Sequence, residues 1–184
     1  MGKILHTTRS RVEKDEGVVR RAYIEEFSEP IRFGMHPGIK AIYGIETQED
    51  LPATLDYIVA AVASWMTGNF GGALEARGIS SHPNKLSAKV EGDIEKIDGK
   101  TYISRIRVHY NVKVPKGKRE EAERALEVHE SKCTASQSVK RGIEIEYSGD
   151  IVEEWIRGSF LLLGVQISTA GWVGAKRATG PVVV

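Results

Sequence analysis

The spacing of apolar residues along the chain predicts a mixed succession of strands and helices. Over residues 17–27, Val18, Val19, Tyr23, Ile24 and Phe27 stand among charged neighbours, the composition of a half-exposed strand. Pro30, Gly34, Pro37, Gly38 and Gly44 punctuate the next stretch and leave short extended pieces at 31–33 and 39–43. A β-meander followed by a loop is the expected start. From Thr47 the period becomes helical. Thr47-Gln48-Glu49-Asp50 offers a hydroxyl N-cap with acids in the first turn, where the positive end of a helix dipole favours them. Leu55, Val59, Val62, Met66, Phe70 and Ala73 then recur at helical steps, while Ala60, Ser64, Gly68 and Gly72 lie along a different face. The pattern predicts a long helix with one bulky and one nearly smooth side. It ends at Arg77-Gly78 or, if the glycines break it, near Asn69. Glycines inside a helix make sense where another backbone passes close by.

Residues 86–97 alternate imperfectly, Asp98-Gly99 is a strong hairpin turn, and 102–114 alternate well through Ile103, Ile106, Val108, Tyr110, Val112 and Val114. Pro115-Lys116-Gly117 ends the sheet. Residues 119–130 read as a charged amphipathic helix whose apolar members are Ala122, Ala125, Leu126 and Val128, and Cys133 follows just beyond it. A short segment at 134–140 leads through Arg141-Gly142 into an alternating strand at 143–147. From Ile151 an apolar run with Trp155, Ile156, Phe160, Leu161, Leu162 and Leu163 gives way to a glycine-rich tail. The expected organisation is one α+β domain over residues 1–150, with an extension at 151–184 packed on that domain or on a dimer interface.

Composition narrows the function. A chain of 184 residues has room for one well-buried core. Its 26 basic and 25 acidic side chains nearly cancel, so no sequence-wide field exists to hold a polyanion and nucleic acid is not an expected partner. The first residues lack the apolar core of a signal peptide, and no apolar run approaches the roughly 18 to 20 residues of a bilayer span. A cytoplasmic protein with no membrane partner is expected. A single cysteine, Cys133, rules out a disulfide within the chain and any multi-cysteine metal site in it, and His6, His36, His82 and His109 are scattered. No metal and no cofactor are implied.

Two stretches carry a resemblance. Residues 50–79 (DLPATLDYIVAAVASWMTGNFGGALEARGI) form a long helix pattern that ends in Ala-Arg-Gly-Ile. Residues 129–147 (HESKCTASQSVKRGIEIEY) place a cysteine and a polar turn before a closing strand. Together with the hairpin between them they resemble the osmotically induced protein C / organic hydroperoxide resistance (OsmC/Ohr) superfamily. The resemblance implies an intertwined α+β homodimer, with antiparallel sheets wrapped around a central pair of long helices and sites at the subunit interface. It also implies peroxidase chemistry. In the resembled enzymes a first cysteine on the central helix attacks the peroxide as a thiolate, an arginine and a glutamate assist it, and a second cysteine resolves the sulfenate.

This chain departs from that pattern. The first-cysteine position falls on Ala63, Ser64 or Trp65, depending on whether Pro52, Met66-Thr67 or Arg77-Gly78 anchors the match, and none of these is a cysteine. The glutamate position corresponds to Ala53, unless Glu49 substitutes, and the candidate arginine is Arg32. Cys133 matches the resolving cysteine. His129, four residues earlier, shares its face if the helix continues, and an imidazolium there would favour the thiolate. Ser64 and Trp65 are the candidate pocket residues. The expectation is a family member without the two-cysteine mechanism, with a binding or structural role at an inter-subunit pocket for a small hydrophobic molecule. The alternative is a one-cysteine, thiol-dependent peroxidase acting on organic hydroperoxides through Cys133.

Overall fold

The computed structural model of the chain describes residues 2–141, 148–150 and 177–179. It divides into two compact units, Met1–Arg141 and Gly142–Val184. The first opens with an antiparallel meander of β1 (Ser10–Lys14), β2 (Arg20–Ile24) and β3 (Ile31–Phe33), paired in that order. The buried Ala22 stands opposite Val12 on one side and Ile31 on the other. β1 was not anticipated. Its one apolar residue, Val12, gives no alternation to read, and the strand is held by its pairing with β2.

Two expectations require correction. Residues 39–43 are not extended but belong to a short helix, α1 (Pro37–Tyr43). Proline's fixed φ suits a first helical turn, the His36 carbonyl accepts the Ile39 and Lys40 amides, and Gly44 at φ 63° closes the helix. These local devices outweigh the β preference of Ile39 and Ile42. The long helix, α2 (Thr54–Glu75), begins seven residues after Thr47 and so is not capped by it. The Thr47 hydroxyl instead donates to the Glu49 carbonyl at 2.8 Å. Pro52 disfavours helical dihedrals at Leu51. Residues 51 and 52 run extended beside 34 and 35, with Gly34 N–H donating to Pro52 O at 2.9 Å and Leu51 N–H to Met35 O at 3.2 Å. The acid that closes the start of α2 is Asp56, whose Oδ2 accepts the Ala53 amide at 2.7 Å.

α2 continues through Gly68, Gly71 and Gly72 to Glu75, the longer of the two expected ends. Of these three glycines only Gly71 has a close neighbour among the described residues, a Cβ there lying 3.2 Å from Ser81 Oγ; at Gly68 and Gly72 a Cβ would meet open space. The hairpin is as expected: β4 (Leu86–Ile97) and β5 (Lys100–Val112) pair antiparallel from Leu86 opposite Val112 to Ile97 opposite Lys100. Asp98 and Gly99 turn between them at φ 49° and 80°, the pair of positive values that a tight hairpin with right-handed twist requires. α3 (Arg119–His129) follows, then a single 3-10 turn at Glu130–Lys132 and α4 (Thr134–Arg141).

The core lies where α2, the hairpin and α3 meet. Phe70, Leu74, Ile79, Ala122 and Ala125 are buried there, with Leu86, Tyr110, Val112 and Val114 packed against them. Small alanines on α3 let that helix sit close to the bulky side of α2. In the second unit, β6 (Ser148–Asp150) pairs antiparallel with β7 (Arg177–Thr179). The strand expected at 143–147 and the apolar run from Ile151 lie outside the described residues. Among the described residues no helix is long and apolar enough to cross a membrane.

Candidate functional site

Cys133 is placed by the join between α3 and α4. α3 ends at His129, so the helical continuation that would align His129 with Cys133 on one face does not occur. Cys133 adopts extended dihedrals, φ −81° and ψ 109°, and serves as N-cap of α4. Its carbonyl accepts the Gln137 amide at 2.9 Å and its sulfur accepts the Ser136 amide at 3.4 Å. The sulfur thus takes the part that a serine or aspartate oxygen more often takes at a helix start. Negative charge developing on it meets an N–H donor at the positive end of the helix. The side chain is fully buried.

Glu130 locks this join. Its carboxylate accepts Lys140 Nζ at 2.8 Å, Gln137 Nε2 at 3.2 Å and the Ser136 hydroxyl. The Lys140 hydrogen bond, with Ser136 adding to it, holds the Glu130 carboxyl below its ordinary pKa.

His129 is also buried, and both ring nitrogens are engaged. Nδ1 lies 2.5 Å from the Leu126 carbonyl, which only accepts, so this nitrogen carries a proton. Nε2 lies 2.9 Å from the Tyr110 hydroxyl. Phe70 packs beside both rings, with centroids 4.9 Å from Tyr110 and 5.3 Å from His129. Burial pushes the Tyr110 phenol up to about 12, and the charge of Cys133 adds to the shift.

Tyr110, Leu126 and His129 line a cavity of about 730 Å³. Ile58, Val62 and Met66 of α2 and Ile103, Ile106 and Val108 of β5 supply apolar surface, while Tyr110, His129, Glu130, Ser136 and Lys140 supply the polar side. The Cys133 sulfur accepts the amide of Ser136, one of these lining residues. The volume and the mixture of an apolar body with a few convergent polar groups suit a small organic molecule.

The other candidates lie elsewhere. Arg32 projects from β3 and binds Glu49 through two hydrogen bonds, 2.8 and 2.6 Å. Tyr57 of α2 donates to the Arg32 carbonyl at 3.0 Å. Arg32 and Glu49 border a different cavity, with Asp15, Gly17 and Thr47. Glu49 therefore is the carboxylate that meets Arg32, and Ala53 caps α2. Of the three first-cysteine positions, Ala63 is buried, while Ser64 and Trp65 are exposed, Trp65 by 54%. Neither Ser64 nor Trp65 lines the cavity beside His129. Among the described residues no group of histidine, cysteine, aspartate and glutamate could hold a metal ion.

Sequence reasoning missed Tyr110, Ser136 and Glu130. Tyr110 was read only as a strand residue, because its partner His129 lies on another element and strand alternation does not say which neighbour a hydroxyl meets. A signal did exist for Ser136, since a capping residue bonds the amide two or three places on.

The model of the OsmC-like protein family matches residues 47–148, a span from the loop before α2 to the first residue of β6. Among solved structures, an OsmC-like protein from Mycoplasma pneumoniae superposes with a TM-score of 0.57 at 16% identity, over 74% of this chain and 89% of that one. An OsmC-like protein of unknown function from Vibrio cholerae gives 0.55 at 12% identity, over 72% and 93%. The organic hydroperoxide resistance protein OhrB of Bacillus subtilis gives 0.51 at 16% identity, over 76% and 93%. At these identities the likeness is one of fold. No curated protein matches the chain.

Proposed function

The chain belongs to the OsmC-like protein family, and from that premise we propose that it is a homodimeric, thiol-dependent peroxidase of the one-cysteine kind, reducing organic hydroperoxides through Cys133. The observation that carries this reading is the position of the sulfur. It caps α4 and accepts the amide of Ser136, a residue that lines a largely apolar cavity large enough for an organic hydroperoxide. The similarly folded Bacillus subtilis protein is named for organic hydroperoxide resistance, which agrees with that substrate class.

In the proposed cycle the Cys133 thiolate attacks the terminal peroxide oxygen. The S–O bond forms as the O–O bond breaks, and an alkoxide leaves and takes up a proton to become the alcohol. The sulfur is oxidised by two electrons to the sulfenic acid. With no second cysteine in the chain, an external thiol attacks the sulfenate and releases water, and a second external thiol then frees Cys133 from the mixed disulfide.

The dimer in this reading is supported by α2, along which Ala60, Ser64, Trp65, Gly68 and Gly72 are exposed and a Cβ at Gly68 or Gly72 would meet no neighbour among the described residues. Sedimentation at micromolar concentration is expected to give twice the chain mass; a stable monomer sinks this part of the proposal.

A second reading has its own observation. Cys133 is 0% exposed, which favours a protein that holds a small hydrophobic molecule in the cavity without turning it over. Steady-state consumption of cumene hydroperoxide with dithiothreitol separates the two. Turnover by the wild type that Cys133→Ser abolishes supports the peroxidase. Rates that match the protein-free blank for both leave the binding role.

A further inference from the structure

Ser104, Tyr110 and Ser136 bring three hydroxyls to the lining of the cavity beside His129. A hydroxyl has one proton to donate and lone pairs that accept, so the direction of each proton decides what the lining offers a ligand. Ser136 Oγ donates to the Glu130 carboxylate, and Ser104 Oγ donates to the Asp93 carbonyl at 3.4 Å. The direction at Tyr110 is set by its neighbour. His129 Nδ1 donates to the Leu126 carbonyl at 2.5 Å, so in the neutral ring Nε2 is an acceptor, and the Tyr110 hydroxyl 2.9 Å away donates to it. The phenol, pushed up to about 12 by burial, keeps that proton. Each of the three protons is committed within the protein, and the oxygens retain only lone pairs for the cavity.

The other polar groups of the lining do not reverse this polarity. The Glu130 carboxylate is itself an acceptor. Lys140 Nζ donates to it at 2.8 Å, and the lysine side chain is 63% exposed, which puts its head at the solvent side. Arg105 and His109 border the cavity from β5, but Ile106, Val108 and Tyr110 alternate inward along that strand while Arg105 and His109 are exposed, opposite Asp93 and Lys89. What remains is hydrocarbon, with Ile58, Val62 and Met66 on one side and Leu126 and Val139 on another.

We propose that the cavity selects uncharged, largely apolar molecules whose polar end is an O–H donor, an alcohol or a hydroperoxide, and that Tyr110, held as an acceptor by His129, sets this preference over ketones and esters of the same shape. The inference rests on the cavity being the ligand site, a premise both readings of the function share, and adds the direction of the hydrogen bond made there. A ligand hydroxyl donates to Tyr110 Oη. A ketone oxygen in its place gives up water and meets lone pairs, and an acceptor buried without a donor loses affinity. An alkyl hydroperoxide and the alcohol left by its reduction both carry the required O–H.

Menthol and menthone test this, because they share one carbon skeleton and differ in a hydroxyl against a carbonyl. Binding is followed at about pH 8, above the usual imidazole range, through the methyl NMR signal of Met66, the methionine that lines the cavity. The wild type is expected to bind menthol about tenfold more tightly than menthone. Tyr110→Phe keeps the ring against Phe70 and should bring the two within about threefold by weakening menthol. His129→Leu should narrow the gap as far from the opposite side, by strengthening menthone, since the Tyr110 hydroxyl is then free to donate to the ligand. A residue that only shapes the cavity would move both ligands in the same sense. Equal affinities in the wild type, or variants that shift both ligands alike, overturn the preference and leave the cavity as a ligand site. No change at Met66 with either compound overturns the cavity as the ligand site, and the preference with it. Failure of the peroxidase reading shows separately, as absent turnover of cumene hydroperoxide, and leaves these affinity ratios unchanged.

Discussion

Gly92 of β4 and Val59 of α2 touch where no side chain fits between them: a Cβ at Gly92 would lie 2.5 Å from Val59 Cγ2 and 3.3 Å from Cγ1. The valine cannot swing away freely, because a β-branched side chain has one strongly preferred rotamer in a helix. Gly92→Ala is therefore expected to push the hairpin off the helix and destabilise the fold by ~1–3 kcal/mol. Urea unfolding checks this. A midpoint unchanged from wild type would mean that the strand shifts at no cost.

Phe70 holds the centre of the core and the flank of the candidate site at once. It is 1% exposed and contacts both Tyr110 and His129. Phe70→Ala should cost ~3–5 kcal/mol, with Phe70→Leu losing less. The aromatic flank is lost in either variant, so the Tyr110–His129 pair should loosen even in the leucine variant that stays folded. Comparing the unfolding midpoint with the near-ultraviolet tyrosine signal separates lost packing from lost alignment.

Much of this arrangement was legible in the sequence wherever a local pattern decided it. The three- and four-residue recurrence through Val62, Phe70 and Ala73 marked α2, and Asp98-Gly99 marked the hairpin, because helix period and turn chemistry act between near neighbours. The start of α2 was misread. Thr47 and its acids make a sound cap in isolation, and what overrides them is the extended pairing of residues 51 and 52 with 34 and 35, a contact no local window contains. α1 was missed for a related reason, its helical dihedrals being set by Pro37 and Gly44 rather than by any apolar period. The site divided in the same way. Arg32, His129 and Cys133 were singled out by residue type and Glu49 by position, but Arg32 and Glu49 border a different cavity from the one that His129 lines. Tyr110 entered only once strand and helix were placed side by side.

Arg32 and Glu49 make an exposed, doubly hydrogen-bonded pair, and the Arg32 hydrogen bonds hold the Glu49 carboxyl below its ordinary value of 4.5. A depressed folded-state pKa contributes stability that is present above the unfolded value and lost as pH falls through the folded one. Arg32→Gln should return Glu49 toward 4.5 in a carboxyl NMR titration. Thermal stability at neutral pH should change little, because solvent screens an exposed pair. An unchanged Glu49 titration in the variant would show that the two side chains do not pair in solution.

Glu130 clamps the turn that carries Cys133. Its carboxylate ties Lys140, Gln137 and the Ser136 hydroxyl together across the turn that buries the sulfur. Because Lys140 and Ser136 depress its pKa, the clamp is complete above the ordinary carboxylate range and is released as pH falls below it. Glu130→Gln keeps the shape and removes the charge, so the turn should open more often while the core stays folded. The reaction of Cys133 with a thiol reagent at neutral pH should then speed up by roughly tenfold, the factor expected when a charge-assisted hydrogen bond is weakened. In the wild type the same acceleration is expected on acidification, once reagent rates are corrected for thiolate fraction, and in Glu130→Gln that pH dependence should vanish. Equal reactivity of wild type and variant at every pH would mean that the sulfur is reached through the cavity wall at Tyr110 and Ser136 rather than by opening of the turn.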